Sequence, residues 1–118
     1  MRKPLILASI GEIVFGLLLL VIPLLAVRWL FAIEISGTAI TLGRIGGLCM
    51  IALGMGCWPR GESRRQSYIM LAYSALAACG LIVVAFRWSA GVLLWPAVIV
   101  HGVIALLLWT GRLRERAV

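Results

Sequence analysis

Three ionisable side chains stand inside long apolar runs of this 118-residue sequence, and they are the residues that could carry chemistry. Glu12, Arg44 and His101 each lie alone in a different run that is otherwise uncharged. Each has a glycine or alanine three or four positions away, a spacing that places both residues on one helix face. Because ionisable groups at membrane depth usually face protein or a cavity, we expect all three to point into a helical bundle.

The depths of these residues predict an ion pair. At a rise of about 1.5 Å per helical residue, Glu12 and His101 lie about 12 Å and about 15 Å from one membrane boundary, and Arg44 about 21 Å. An arginine in hydrocarbon needs a counter-ion, and Glu12 is the one intramembrane carboxylate. We therefore predict a Glu12–Arg44 pair with His101 beside it. Three further side chains are candidates for lining a cavity around this cluster: Thr41, Cys49 and Tyr73.

Two functions fit such a cluster. In the first, Glu12, Arg44 and His101 form a mutually satisfied network that specifies helix packing in an accessory subunit or scaffold of a membrane complex. In the alternative, Glu12 exchanges a proton in a binding protein or proton-coupled transporter for a small lipophilic or lipid-like ligand. His101 would then relay the proton, and Tyr73 would form a wall of the cavity.

Enzymatic activity is not expected from this sequence. It has no nucleophile motif, no metal-ligand spacing and no phosphate-binding loop, and its three cysteines form no CxxC motif. We therefore predict no catalytic residue, no metal and no cofactor.

The apolar runs define the elements that must position these side chains. The sequence is 64% hydrophobic and 13% charged, with a mean hydropathy of +1.13, far from the averages of soluble domains. A helix of about 20 apolar residues crosses a bilayer, so we predict an all-α, four-helix transmembrane bundle that forms a single membrane domain. The predicted spans are 4–27, 36–58, 67–87 and 90–110.

Basic residues predict the orientation of this bundle. The net charge is +7, and most of the eleven Lys and Arg residues lie in alternate connections and at both ends of the chain. Such residues are enriched on the cytoplasmic side, so both termini and the central connection are predicted to be cytoplasmic. The bilayer accounts for these charges, and no nucleic-acid partner is expected. The residues concerned are Arg2, Lys3, Arg60, Arg64, Arg65, Arg112, Arg114 and Arg116.

Small residues predict where helices approach closely. Gly43 and Gly47 form a GxxxG pair in the second span, and the third span carries a similar row of alanine, serine and glycine. We expect these two spans to form the packing centre. The Gly43–Gly47 face is also a candidate surface for a homo-oligomer.

Three stretches of the sequence carry a resemblance to known proteins. They are Gly43-Arg44 with Gly47, Ala52-Leu53-Gly54 leading to Cys57-Trp58-Pro59, and Leu94-Trp95-Pro96-Ala97 leading to His101. In these stretches the sequence resembles small four-transmembrane-helix proteins of the bacterial inner membrane. The likeness implies a multi-pass inner-membrane location in which Arg44 and His101 matter, and it implies no particular activity.

The stretch Ala8-Ser9-Ile10-Gly11-Glu12, together with the four spans and the small size, carries a second resemblance, to the small multidrug resistance transporters. Those transporters are dimers that use a first-span glutamate to exchange protons for lipophilic cations. Arg44 departs from that pattern, since it is expected to neutralise Glu12 and repel cations.

Overall fold

The computed structural model of this chain describes residues 2–62 and 64–118. Over these residues it contains five helices and no strands. Four of them, α1, α3, α4 and α5, are long and apolar enough to cross a membrane. The predicted all-α, four-helix transmembrane bundle is therefore confirmed. The helices are α1 (Arg2–Val21), α2 (Pro23–Phe31), α3 (Thr38–Gly56), α4 (Arg64–Arg87) and α5 (Leu94–Ala117).

A proline divides the first predicted span into two helices. Ile22 leaves helical geometry, with φ −129° and ψ 61°, and Pro23 begins α2. Proline has no N–H to donate and clashes with the preceding turn, so it starts a new helix more readily than it continues one. Helix α2 then runs to Phe31 and ends at Ala32 in the left-handed conformation, with φ 55°.

Glycines bring α1 and α3 into direct backbone contact. A Cβ atom on Gly47 would lie 2.5 Å from the carbonyl oxygen of Gly16, and one on Gly16 would lie 2.6 Å from that of Gly47. The prediction that α3 and α4 form the packing centre is wrong, because α1 packs most extensively on α3 and α4 on α5. The reason is that Gly16 on α1 supplies the opposing surface that Gly47 needs.

The basic segments of the chain meet at one end of the bundle. Arg2 donates a hydrogen bond of 3.2 Å to the carbonyl of Gly61 in the α3–α4 connection. Arg116, near the end of α5, donates one of 3.2 Å to the hydroxyl of Tyr68 in α4. We call this the basic end.

The opposite end is closed by contacts between the last turn of α2 and the α4–α5 connection. Gly91 donates a backbone hydrogen bond of 3.0 Å to Leu30, and Leu93 donates one of 2.9 Å to Trp29. The absence of a side chain at Gly91 permits this approach, since a Cβ atom there would overlap the Trp29 carbonyl. These bonds link the α1–α2–α3 half of the chain to the α4–α5 half.

The core lies toward the basic end and contains polar groups. An apolar cluster packs there between α1, α4 and α5, with Cys57 at the end of α3. Buried polar side chains lie among the same helices. The apolar cluster consists of Leu5, Ala8, Cys57, Met70, Ile104 and Leu108, and the buried polar residues are Ser9, Glu12, Ser67, Ser74 and Arg112.

Candidate functional site

Glu12 is the centre of a polar site formed by three helices. Its side chain, near the middle of α1, is buried, and the residue is 4% exposed. Its Oε2 atom accepts a hydrogen bond of 2.9 Å from the hydroxyl of Tyr73 on α4. Its Oε1 atom lies 3.9 Å from Nε2 of His101 on α5. The Tyr73 and His101 rings are in edge contact, with centroids 5.7 Å apart and planes at 78°.

Helix α3 packs on the turn of α1 that carries Glu12. A Cβ atom on Gly54 would lie 2.7 Å from the backbone oxygen of Ser9 and 3.3 Å from the Cβ atom of Glu12. The lack of a side chain at Gly54 thus lets α3 pack directly on the turn of α1 that carries the carboxylate. Cys57, which follows α3, is also buried. Glu12 is held against the α3 backbone on one side and faces Tyr73 and His101 on the other.

Buried polar atoms on α1, α4 and α5 lack a hydrogen-bond partner among the described residues. Within residues 2–62 and 64–118, Ser9 Oγ, Ser74 Oγ and His101 Nδ1 make no hydrogen bond. Ser9 lies one helical turn before Glu12, and Ser74 is next to Tyr73 in the chain. Each unsatisfied buried group costs about 1–3 kcal/mol. The site therefore retains hydrogen-bonding capacity, unlike a fully satisfied structural network.

The predicted Glu12–Arg44 ion pair is not formed. Arg44 is exposed on α3, and it has neither an ion pair nor a hydrogen bond among the residues that the structure describes. The register of α3 on α1 explains the difference. Gly54 is level with Glu12, and Arg44 precedes it by ten residues, or about 15 Å along the helix. That distance exceeds the reach of an arginine side chain.

The other sequence candidates are divided between the site and the outer surface. Tyr73 binds Glu12 directly, whereas Thr41 and Cys49 are exposed on α3. Gly47 packs on Gly16, and Gly43 lies nearest to Pro23, whose Cβ atom would be 3.5 Å from a Cβ placed there.

The sequence analysis did not identify Ser9 as a polar residue of the site. Ser9 had a usable signal, because it lies three residues before Glu12 and so on the same helix face. Ser74 is also buried, and its place next to Tyr73 in the chain predicts neither its direction nor its burial. In the described part of the chain, no group of three or more His, Cys, Asp or Glu side chains could hold a metal ion.

Comparisons with protein families, with curated proteins and with solved structures find no match to this chain. The fold and the site therefore define its class. It is an all-helical membrane protein in which α1, α4 and α5 share one buried carboxylate.

Double-mutant cycles are expected to separate the real partner of Glu12 from the one predicted by sequence. Glu12→Ala and Tyr73→Phe should show a coupling energy of about 0.5–3 kcal/mol in the free energy of unfolding, because each substitution removes the hydrogen bond between the two side chains. Glu12→Gln and Arg44→Met should be additive within about 0.5 kcal/mol. Unfolding of the purified protein in mixed micelles measures both. Strong coupling to Arg44 would show that the two residues do pair in the folded protein.

Proposed function

We propose that this protein binds a small lipophilic cation at Glu12 in exchange for a proton, and that the exchange couples to movement of the cation across the membrane. One observation carries the proposal. Glu12 is a buried intramembrane carboxylate that faces a tyrosine and a histidine, with no Arg or Lys nitrogen within 4.0 Å among the described residues.

The environment of Glu12 supports two mutually exclusive states. An ionised carboxylate is costly in hydrocarbon unless a positive charge lies beside it. A bound proton or a bound cation each removes that cost, so binding of one favours release of the other. Competition for a single carboxylate is sufficient to couple the two movements.

Tyr73 and His101 suit the same exchange. The Tyr73 hydroxyl donates to the ionised carboxylate and can accept from its protonated form, because a hydroxyl has both capacities. Nε2 of His101, the one histidine of the sequence, lies 3.9 Å from the other carboxylate oxygen. Because an imidazole can both accept and release a proton, His101 can relay one. The aromatic ring of Tyr73 also offers a surface that attracts organic cations.

The position of Arg44 supports this function as well. An arginine beside Glu12 would neutralise the carboxylate and repel cations. Arg44, however, lies about 15 Å along α3 from Gly54, the residue that is level with Glu12. The architecture and the first-span glutamate of the small multidrug resistance transporters are thus compatible with this chain.

Tetraphenylphosphonium binding to the full-length protein in lipid nanodiscs tests the proposal. Calorimetry in two buffers of different ionisation enthalpy counts the protons released. We expect about one proton per bound cation, and an affinity that falls as the pH is lowered because protons compete for Glu12. Triphenylphosphine oxide, an uncharged analogue, should show no such dependence. Binding without proton release would contradict the exchange.

Arg44 favours a second function, that of an accessory subunit or scaffold of a membrane complex. It is exposed within the span formed by α3 and is unpaired among the described residues, a costly arrangement that an acidic group of a neighbouring protein would relieve. The number of subunits per particle in nanodiscs extracted directly from native membranes tests this function. Arg44→Met should dissociate a larger complex, and an unchanged assembly would contradict the accessory role.

We further propose that the protein lies in the bacterial inner membrane, with both termini and the α3–α4 connection in the cytoplasm. The support is that the basic segments meet at one end of the bundle, the arrangement that the excess of Lys and Arg on cytoplasmic segments requires. A fluorescent reporter that folds only in the cytoplasm, fused to the C-terminus, tests this orientation. A dark fusion that is inserted at normal levels would reverse it.

A further inference from the structure

Arg112, near the end of α5, is a buried cation that has no acidic partner among the described residues. It is 6% exposed, and no carboxylate of the described residues lies within 4.0 Å of it. One Nη atom donates to the carbonyl of Arg64, and the guanidinium carbon lies 3.1 Å from the centre of the Tyr68 ring. Its Nε atom has no hydrogen-bond partner in the part of the chain that the structure describes.

The groups around Arg112 add positive charge. Arg116, one turn further along α5, donates a hydrogen bond of 3.2 Å to the Tyr68 hydroxyl. Arg64 begins α4 and is followed by Arg65, and the first turn of that helix has no acidic residue. A helix N-terminus carries a partial positive charge, so arginines placed there are unfavourable unless an anion lies nearby.

The chemistry of this cluster suits a phosphate group. Guanidinium groups and a phenol hydroxyl donate hydrogen bonds to phosphate oxygens, and two arginines on one helix face can share them. The Tyr68 hydroxyl accepts from Arg116, so its own proton remains available to an anion. Tyr68 is 43% exposed, which opens the cluster to the membrane surface.

We propose that Arg112, Arg116 and Tyr68 form a binding site for one phosphate group, supplied by the headgroup of an anionic phospholipid. The source follows from the position of the cluster. It lies at the basic end, where α4 begins and α5 ends, and Trp109, one turn before Arg112, is exposed as interfacial tryptophans are. This site is separate from Glu12 and does not depend on the proposed cation exchange.

Native mass spectrometry of the full-length protein, released from nanodiscs of phosphatidylglycerol and phosphatidylcholine, tests the site. We expect the wild type to retain one phosphatidylglycerol. Arg116→Gln should reduce that retention about tenfold, the factor that corresponds to loss of one charge-assisted hydrogen bond. Arg114→Gln is the matched control, because Arg114 is exposed on the same helix and makes no hydrogen bond in the described structure. It should retain the lipid as the wild type does.

Two results would overturn the proposal. Equal losses in Arg114→Gln and Arg116→Gln would show general attraction between a basic surface and anionic lipid. Binding of inorganic phosphate to protein in phosphatidylcholine nanodiscs, sensitive to Arg116→Gln and without retention of phosphatidylglycerol, would identify free phosphate rather than lipid as the ligand. Arg112→Gln should act as Arg116→Gln does, but Arg116 is exposed, so its substitution tests the site even if the buried residue is needed for folding.

Discussion

Glu12→Gln is expected to abolish proton release and to weaken tetraphenylphosphonium binding about a hundredfold. Glutamine keeps the size of the side chain and can still accept a hydrogen bond from Tyr73, so the local packing should survive. What it removes is the negative charge that a cation would neutralise. Loss of one member of a buried charge pair costs about 2–5 kcal/mol, and a hundredfold change corresponds to about 2.7 kcal/mol.

Glu34→Gln provides the matched control for that experiment. Glu34 pairs with Arg28 in the connection between α2 and α3, where its side chain is 78% exposed. Its removal changes the net charge by the same amount but leaves the intramembrane site intact. Cation affinity should change less than twofold. If Glu12→Gln bound the cation as tightly as the wild type, the carboxylate would not be the binding group.

Gly47→Ala is expected to lower the free energy of unfolding by about 1–3 kcal/mol. The added methyl group would lie 2.5 Å from the Gly16 oxygen and 2.9 Å from the Leu20 nitrogen, both backbone atoms that cannot move without shifting a helix. Alanine favours helix by about 0.5–1 kcal/mol over glycine, and that gain is smaller than the cost of separating α1 from α3. Unfolding of the purified protein in mixed micelles measures the difference.

Substitution of the neighbouring Gly46 separates the effect of packing from the effect of helix propensity. In the part of the chain that the structure describes, no atom lies within 4 Å of the position that a Cβ on Gly46 would occupy. Gly46→Ala should therefore leave stability unchanged or raise it by up to about 1 kcal/mol. If both substitutions had the same effect, the contact between α1 and α3 would not be what stabilises the bundle.

The four membrane-spanning helices could be predicted because each apolar run is long enough to cross a bilayer. Helix ends were less predictable. The fourth predicted span, 90–110, ends where Arg112 begins a charged segment, yet α5 continues to Ala117. An apolar run marks the part of a helix that lies in hydrocarbon. Arginine, leucine and glutamate are good helix formers, so they extend the helix beyond that part.

The candidate site was predictable in residue type but not in partner. Glu12, Tyr73 and His101 were recognisable because polar groups are rare within apolar runs. The choice of Arg44 depended on depths counted from the predicted boundary of each span. The actual register of α3 on α1 is set by contacts between glycines and the facing backbone, as at Gly16 and Gly47, and such contacts cannot be counted from the ends of a helix.

The protonation of Glu12, followed by isotope-edited infrared spectroscopy in lipid-reconstituted protein, tests the central claim most directly. Over about pH 5 to 9, addition of tetraphenylphosphonium should remove the absorption band of the protonated Glu12 carboxyl, and Arg44→Met should respond as the wild type does. That result would show a carboxylate that exchanges a proton for a cation. A Glu12 band that changes with neither pH nor the cation would contradict the account and identify the site as a closed structural contact.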